Sequence, residues 1–311
     1  MVKIKSAPFI RSKTDTKSIM LDVIIALIPV SIMAVVKFGY RSLILILTGI
    51  ISSVLFEYLY QRLSKKEVTI SDLSACVTGL LVGLSYSITT PIYVIILGSF
   101  IAIVLVKQIP GGLGHNPFNP AVFSRVFNKI IFTPLITNWV SPLPDMTSSA
   151  TPLSYIGNGQ NFIPQAAYPL SDLFFGNIGG NIGETVKWAI ILGFIYLCFK
   201  RIISPLVPLA TLSGLFFTML LFGKSDYYYA LYHVLSGTAM FAAVFMVTDY
   251  TSGPAHHKAR VYYALGIGIL TGVIRYVFNL PGGMGVAILI MNMLSPIFDL
   301  SFNPVVFGYK R

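Results

Sequence analysis

Apolar residues run through this chain in long blocks, not in the short alternation of a half-buried strand. Nearly charge-free stretches of roughly 17–20 residues recur, the length of helix that crosses about 30 Å of hydrocarbon. Ten spans or part-spans follow from the pattern: 18–36, 42–60, 70–86, 91–107, 117–132, 185–200, 203–223, 231–248, 261–278 and 284–300. The third is rich in Gly and Ser, and the fifth is short. Alternating segments of about ten residues, which would mark a transmembrane β-barrel, are missing. The predicted class is an all-α polytopic membrane protein.

The polar positions between the blocks carry a charge bias. With the N-terminus inside, the inner segments hold Lys3, Lys5, Arg11, Lys13, Lys17, Arg62, Lys65, Lys66, Lys107, Lys200, Arg201, Lys258, Arg260, Lys310 and Arg311. The outer segments and span ends hold Lys37, Arg41, Lys129, Lys187, Lys224 and Arg275, so the count is fifteen against six. Arg125 falls within the fifth span. The positive-inside rule then predicts cytoplasmic N- and C-termini. The segment 130–186 has no Lys or Arg and falls outside. The basic start, MVKIKSAPFIRSKTDTKS, precedes a span that outlasts a signal peptide and shows no small-residue cleavage site, so it reads as a permanent cytoplasmic arm.

An internal repeat organises the spans. Residues 109–114 read IPGGLG and residues 280–285 read LPGGMG, 171 positions apart. Upstream of each lies a small-residue segment, DLSACVTG at 72–79 and VLSGTAM at 234–240. Five spans per half is odd, so the halves would be inverted, with Gly- and Pro-interrupted helices, as in many transporters. The expected organisation is an arm at 1–17, a five-helix repeat at 18–132, an extracytoplasmic loop at 133–184 and a second five-helix repeat at 185–311.

Composition sharpens this picture. The chain is 55% hydrophobic and only 11% charged, against about 25% charged in ordinary soluble domains. Its 22 Lys and Arg outnumber 11 acids, but no basic face joins a base-reading motif, so nucleic acid is not an expected partner. Cys76 and Cys198 stand alone in apolar runs and make no metal site or disulfide framework by themselves; they read as small buried hydrophobes, with a metal centre shared with another subunit as the alternative.

Candidate chemistry sits in few places. Residues 145–151, DMTSSAT, form a small, hydroxyl-rich segment led by Asp145. With no basic residue near it in sequence, it reads as no arginine-clamped phosphate site. Thr151 is expected to expose its hydroxyl for enzymatic attachment of a phosphoester, or else the segment is an ordinary loop. The Gly-rich GNIGGNIGET at 176–185 reads as a helix cap or a contact to the edge of a ligand at the start of the sixth span, with Glu184 set against a phosphate cradle. It is no dinucleotide fingerprint, lacking a βαβ unit. Asp22, Glu57, Asp249 and Asp299 lie in or beside apolar spans, where ionisable groups are functional candidates by default. Asp249, with Thr248, Thr251 and Ser252, makes an oxygen-rich cluster suited to a hard cation; helix capping or pairing with Lys258 and Arg260 is the alternative. Asp22 and Asp249 are the candidate ion-path residues. In HNPFNPA (115–121), Asn116 and Asn119 are expected to satisfy backbone freed by two prolines, and His115 is a proton-handling candidate. The run DYYYALYH (226–233) reads as an interfacial aromatic belt.

The segment DMTSSAT resembles the flavinylation sequon, in which an Asp, two variable residues, Ser or Thr, usually Gly, and Ala precede an acceptor Thr or Ser. Asp145, Ser148, Ala150 and Thr151 fit it, and Ser149 stands where Gly is usual. The whole chain resembles the D subunits of Rnf complexes and, more distantly, the B subunits of sodium-pumping NADH:quinone oxidoreductases. The segments that carry this are SIMLDVIIALIP (18–29), SDLSACVTGLLVGL (71–84), PGGLGHNPFNPA (110–121), GNIGGNIGETVKWAIILGF (176–194), TDYTSGP (248–254) and MNMLSPIFD (291–299). The resemblance implies FMN joined through its phosphate to Thr151 by a flavin transferase, with a noncovalent riboflavin as a further expected cofactor. It also implies a cell-membrane complex that couples ferredoxin oxidation and NAD reduction, or the reverse, to export of Na+ or H+. A second FMN-bearing subunit and iron–sulfur subunits would be its partners, since this chain has neither an NAD-binding motif nor a ferredoxin-type cysteine motif. The competing reading is a stand-alone channel or secondary transporter with inverted repeats; a purely structural scaffold leaves the sequon unexplained.

Overall fold

The structure, a computed structural model, describes residues 15–154, 169–223 and 225–302. Most of the expected N-terminal arm (1–14), Lys224 and residues 303–311, with Lys310 and Arg311, lie outside the described residues. Among the described residues the chain is helical with no strand, apart from one isolated antiparallel bridge between Val140 and Ser148.

The helices follow the apolar blocks. In chain order they are α1 (Thr16–Phe38), α2 (Tyr40–Leu63), α3 (Ser74–Leu84), α4 (Ile92–Phe100, continued as a π-helix over Ile101–Gln108), α5 (Pro120–Ile131) and α6 (Thr133–Ile136). Then come α7 (Leu170–Phe175), α8 (Lys187–Phe199), α9 (Leu206–Phe222), α10 (Tyr227–Leu235), α11 (Ala239–Phe245), α12 (His257–Val277) and α13 (Gly283–Ser301). Helices α1, α2 and α13 are each long and apolar enough to cross a membrane; α10 and α11 qualify together as one span bent by 58°. Asp15 caps α1 by accepting from Thr16 N at 2.7 Å. Gly39, at φ 78°, turns the chain so sharply that α2 starts one residue later.

Two predicted spans differ from the observed helices, for local reasons. The span drawn at 70–86 is a 3-10 turn (Ile70–Asp72) followed by the eleven-residue α3. Leu73 at φ 63° breaks the axis, and Asp72 accepts from Ser74 N at 2.8 Å and from its hydroxyl at 2.6 Å. The span drawn at 231–248 begins earlier and is split, because Gly237 adopts φ 62° between α10 and α11. The Tyr-rich run is only partly a belt. Tyr227 is exposed, but Tyr229, Tyr232 and His233 are buried, because α10 turns most of the run inward.

Helix α1 packs on α8, α2 on α3 and α4, α9 on α12, and α5 on α13. In a membrane such contacts rest on close packing of small residues, since lipid is as apolar as the side chains. A Cβ on Gly49 would run into the Gly79 carbonyl, and one on Gly79 into the Gly49 carbonyl. Between α9 and α12, a Cβ on Gly268 would meet the Thr211 carbonyl and the backbone of Gly214 and Leu215.

Buried cations hold the broken segments. Lys107, at the end of α4, donates to the Glu57 carboxylate at 2.9 Å and to the Ser74 hydroxyl at 2.6 Å, and Gln108 donates to Glu57 at 2.7 Å. All four side chains are buried. Arg275, at the end of α12, donates to the His233 carbonyl at 2.6 Å and the Ser236 carbonyl at 3.4 Å. Each cation therefore lies just before its Pro-Gly-Gly motif and reaches the small-residue segment of the same half. Lys187, at the start of α8, donates to the carbonyls of Glu184 and Gly237.

The glycine contacts generate a test. Gly268→Ala forces a methyl against immovable backbone and is expected to cost about 1–3 kcal/mol, read as a lowered thermal midpoint of the purified protein. Gly285→Ala meets only side chains, the nearer being Val126 at 2.9 Å, which can yield more than backbone can, and should lower the midpoint by less. Equal midpoints for the two would contradict the close α9–α12 approach.

Candidate functional site

Two cavities lie at opposite ends of α8. One is lined by Lys187 at its start and the other by Leu197 near its end.

The first cavity, about 540 Å3, is built around Thr151. The segment 139–151 folds back on itself: Ser149 N donates to the Trp139 carbonyl at 3.0 Å and Ser141 N to the Thr147 carbonyl at 2.8 Å. Behind it, a Cβ on Gly179 would collide with the Ser149 hydroxyl, and one on Gly237 with Leu153. These close approaches place Thr151 inside, only 8% exposed, while Asp145, Ser148 and Ala150 stay exposed and Ser149 is half-buried. Of the segment DMTSSAT, only Thr151 lines the cavity. The expected exposed hydroxyl is thus corrected to a buried one.

The charge around Thr151 also departs from expectation. Arg125 and Lys129, one turn apart on α5, and Lys187 of α8 line the same cavity. They lie 26, 22 and 36 positions away in sequence, so the segment that has no basic neighbour along the chain has three in space. Their sequence signal was their position: cations within or at the ends of apolar spans are as costly as acids there. Glu184, expected to repel an anion, is occupied. It pairs with Arg125 at 3.5 Å and accepts from Asn181 N at 3.3 Å. Two residues lining the cavity have a buried polar atom with no partner among the described residues, Trp139 at Nε1 and Thr185 at Oγ1. Buried polar groups are nearly always satisfied, so donors left open on a positive cavity match a ligand rich in acceptors.

The Gly-rich segment does not enter the helix as expected. Gly176, at φ 75°, ends α7, and α8 begins only at Lys187. Between them Ile182 N donates to the Tyr86 carbonyl at 3.0 Å and Gly183 N to the Leu84 carbonyl at 2.9 Å. The segment thereby satisfies carbonyls freed where α3 ends. Its Gly179 and Gly180 line the Thr151 cavity.

The second cavity, about 780 Å3, is lined from both halves of the chain by Met20, Ser74, Thr78, Asn119, Thr248 and Asp249, among others. Asp249 accepts from Ser252 Oγ at 2.9 Å and Thr251 Oγ1 at 3.1 Å. Asn116 donates to Thr251 Oγ1 at 2.7 Å, and Asn119 donates to the Met246 carbonyl at 3.1 Å, so both asparagines join the halves. Asp249 makes no ion pair among the described residues; Arg260 instead donates to the Pro254 carbonyl at 3.0 Å. Asp22 does not line the cavity, though Met20 and Val23 do; it accepts from Tyr196 at 2.6 Å and pairs with Lys200 at 3.5 Å. Asp299 accepts from Ala255 N at 2.8 Å, and His115 is exposed. Among the described residues no three His, Cys, Asp or Glu converge on a metal position, and Cys76 and Cys198 are both free.

Comparison with known proteins gives the family. A profile of the family described as NQR2, RnfD, RnfE matches residues 3–308. The chain belongs to this family. It is 37% identical to the D subunit of the Na(+)-translocating ferredoxin:NAD(+) oxidoreductase complex of Acetobacterium woodii, covering 99% of this chain and 96% of the relative. It is 34% identical to the D subunit of the proton-translocating ferredoxin:NAD(+) oxidoreductase complex of Clostridium ljungdahlii, with 99% and 96% covered. With the D subunit of the ion-translocating oxidoreductase complex of Yersinia enterocolitica the identity is 30%, covering 100% of this chain and 99% of the relative. NQR2, RnfD, RnfE relatives thus align with this chain from end to end, and the first two are named for different ions, one for sodium and one for protons.

The burial of Thr151 is checked by thiol labelling of unmodified protein. Ser148→Cys should react with a maleimide much faster than Thr151→Cys, and adding Gly179→Ala should speed labelling of Thr151→Cys by pushing the segment outward. Equal rates at the two positions would refute the inward placement.

Proposed function

We propose that this chain is the D subunit of an Rnf-type membrane complex and carries FMN, joined through its phosphate to Thr151. The observation that carries this reading is that Thr151, last residue of a sequon-like segment, lines a positive cavity with unsatisfied donors. When bound, the flavin supplies a relay that accepts one or two electrons. Trp139 and Thr185 offer hydrogen-bond donors to it, Gly179 and Gly180 let backbone approach closely, and the burial of Thr151 keeps water from the phosphoester. Asp145, Ser148 and Ala150, exposed around the acceptor, are positioned for reading by a flavin transferase before the threonine turns inward.

The complex couples ferredoxin oxidation and NAD reduction to export of Na+ or H+ across the cell membrane. Iron–sulfur subunits and a second FMN-bearing subunit exchange electrons with this chain. The fold is ten spans in two inverted five-helix repeats. Support comes from the two Pro-Gly-Gly motifs, each preceded by a buried cation, and from pairing of corresponding helices across the halves, α1 on α8 and α5 on α13. Both termini are cytoplasmic and Thr151 is extracytoplasmic. The second cavity, between the halves, is the place for a noncovalent riboflavin. Of the two ion-path candidates, Asp249 faces that cavity, whereas Asp22 is held by Tyr196 and Lys200.

Covalent flavin is the decisive test. Expressed with a flavin transferase, the chain should give a flavin-fluorescent band on a denaturing gel, and the band should go dark in Thr151→Ala. A dark wild-type band despite active transferase, or a fluorescent Thr151→Ala band, overturns the reading and favours a stand-alone transporter. A membrane-impermeant maleimide should label Ser148→Cys from the extracytoplasmic side only.

The ion path has its own readout. Asp249→Asn in the whole complex should lower ions moved per electron in proteoliposomes while flavin content stays constant. Unaltered coupling would remove Asp249 from the path.

A further inference from the structure

Four charged side chains line the Thr151 cavity, and three of them are positive. Arg125, Lys129 and Lys187 face it against the single carboxylate of Glu184. That carboxylate is shared between Arg125 and the backbone of Asn181. Lys187 is fully buried and donates to the carbonyls of Glu184 and Gly237, which take up two of its three hydrogens without cancelling its charge. Behind Gly237 stands Arg275, also buried and hydrogen-bonded to carbonyls. Lys129 has no ion pair among the described residues. An uncompensated positive excess inside a membrane protein is costly unless an anion answers it.

The contrast with the Lys107 group sharpens the point. There the buried cation has a full carboxylate partner in Glu57, with Gln108 completing the group. The excess is therefore local to the Thr151 cavity and not a general habit of this chain. The buried Thr185 hydroxyl, 1% exposed and without a partner among the described residues, adds a donor on the same wall.

We propose that Arg125 and Lys129, with Lys187 behind them, form a clamp that selects the phosphorylated flavin by charge, independently of the covalent bond. The two α5 side chains are specificity-determining: they hold the phosphate end so that the ring is presented in one orientation once Thr151 is esterified. The identity of the anion as FMN rests on the reading that Thr151 carries a flavin; the positive cavity does not.

The test uses the full chain carrying Thr151→Ala, made without flavin transferase so that only noncovalent binding remains. FMN and riboflavin are titrated separately by fluorescence quenching, with inorganic phosphate as competitor. FMN should bind, phosphate should displace it, and adding Arg125→Gln with Lys129→Gln should weaken FMN by about tenfold or more, the scale of losing charge-assisted hydrogen bonds. Riboflavin binding at any second site should not change with that pair. Lys129→Arg, which keeps the charge, should retain FMN. The proposal is overturned if FMN does not bind, if its affinity survives loss of both α5 charges, or if riboflavin weakens in parallel. A fluorescent wild-type gel band alongside any of these leaves covalent FMN standing and removes the clamp. A dark gel band alongside phosphate-sensitive FMN binding leaves the clamp standing and removes the covalent flavin.

Discussion

A backbone carbonyl released by a broken helix finds no water in hydrocarbon, so a donor must come from inside the protein. In this chain many of those donors are cations. Arg275 takes up the carbonyls of His233 and Ser236, and Lys187 that of Gly237, where α10 stops before α11. Carbonyls at a helix C-terminus carry partial negative charge, so a cation there is stabilised by the dipole as well as by its hydrogen bonds. At the end of α3 the donors are instead the amides of Ile182 and Gly183. This single requirement ties distant segments together. It fixes the Gly-rich stretch against α3, sets Lys187 beside Gly237, and so shapes the wall that Thr151 faces.

The same requirement explains what was legible in the sequence. Helices α1 and α2 are uninterrupted apolar blocks, and their extents could be drawn to within a few residues. Asn119 before Pro120 announced a polar group that satisfies broken backbone; the structure shows Asn119 accepting from Val122 N at 3.1 Å. The break at Gly237 was hidden, because Ser236, Gly237 and Thr238 sit in a run whose composition alone suits a continuous span. The inward turn of α10 was hidden too. A tyrosine-rich stretch has the same composition whether it faces a headgroup layer or packs on α7 and α9.

Thr151 was legible and its surroundings were not. Its candidacy came from six neighbours in the chain, whereas its cavity comes from α5, α8 and the turn at Gly237. Arg125 and Lys129 look like snorkelling side chains near the end of a short span, the ordinary fate of a cation there. Only the close approach of Gly179 to Ser149, which pulls the segment inward, turns them into neighbours of Thr151. Residue type and spacing along one helix could not carry that information.

Buried charge is used differently in two places. In the first, Lys107, Glu57, Gln108 and Ser74 close on one another, and the group is neutral and hydrogen-bonded throughout. In the second, Arg275 meets carbonyls alone, and the nearby Lys187 and α5 cations find one shared carboxylate. A self-contained pair asks for no ligand, and removing one partner strands a charge at a cost of about 3–5 kcal/mol. An open positive set is stable only with something to answer it. One set of buried charges is thus closed on itself, and the other, beside the Thr151 hydroxyl, keeps an excess of positive charge.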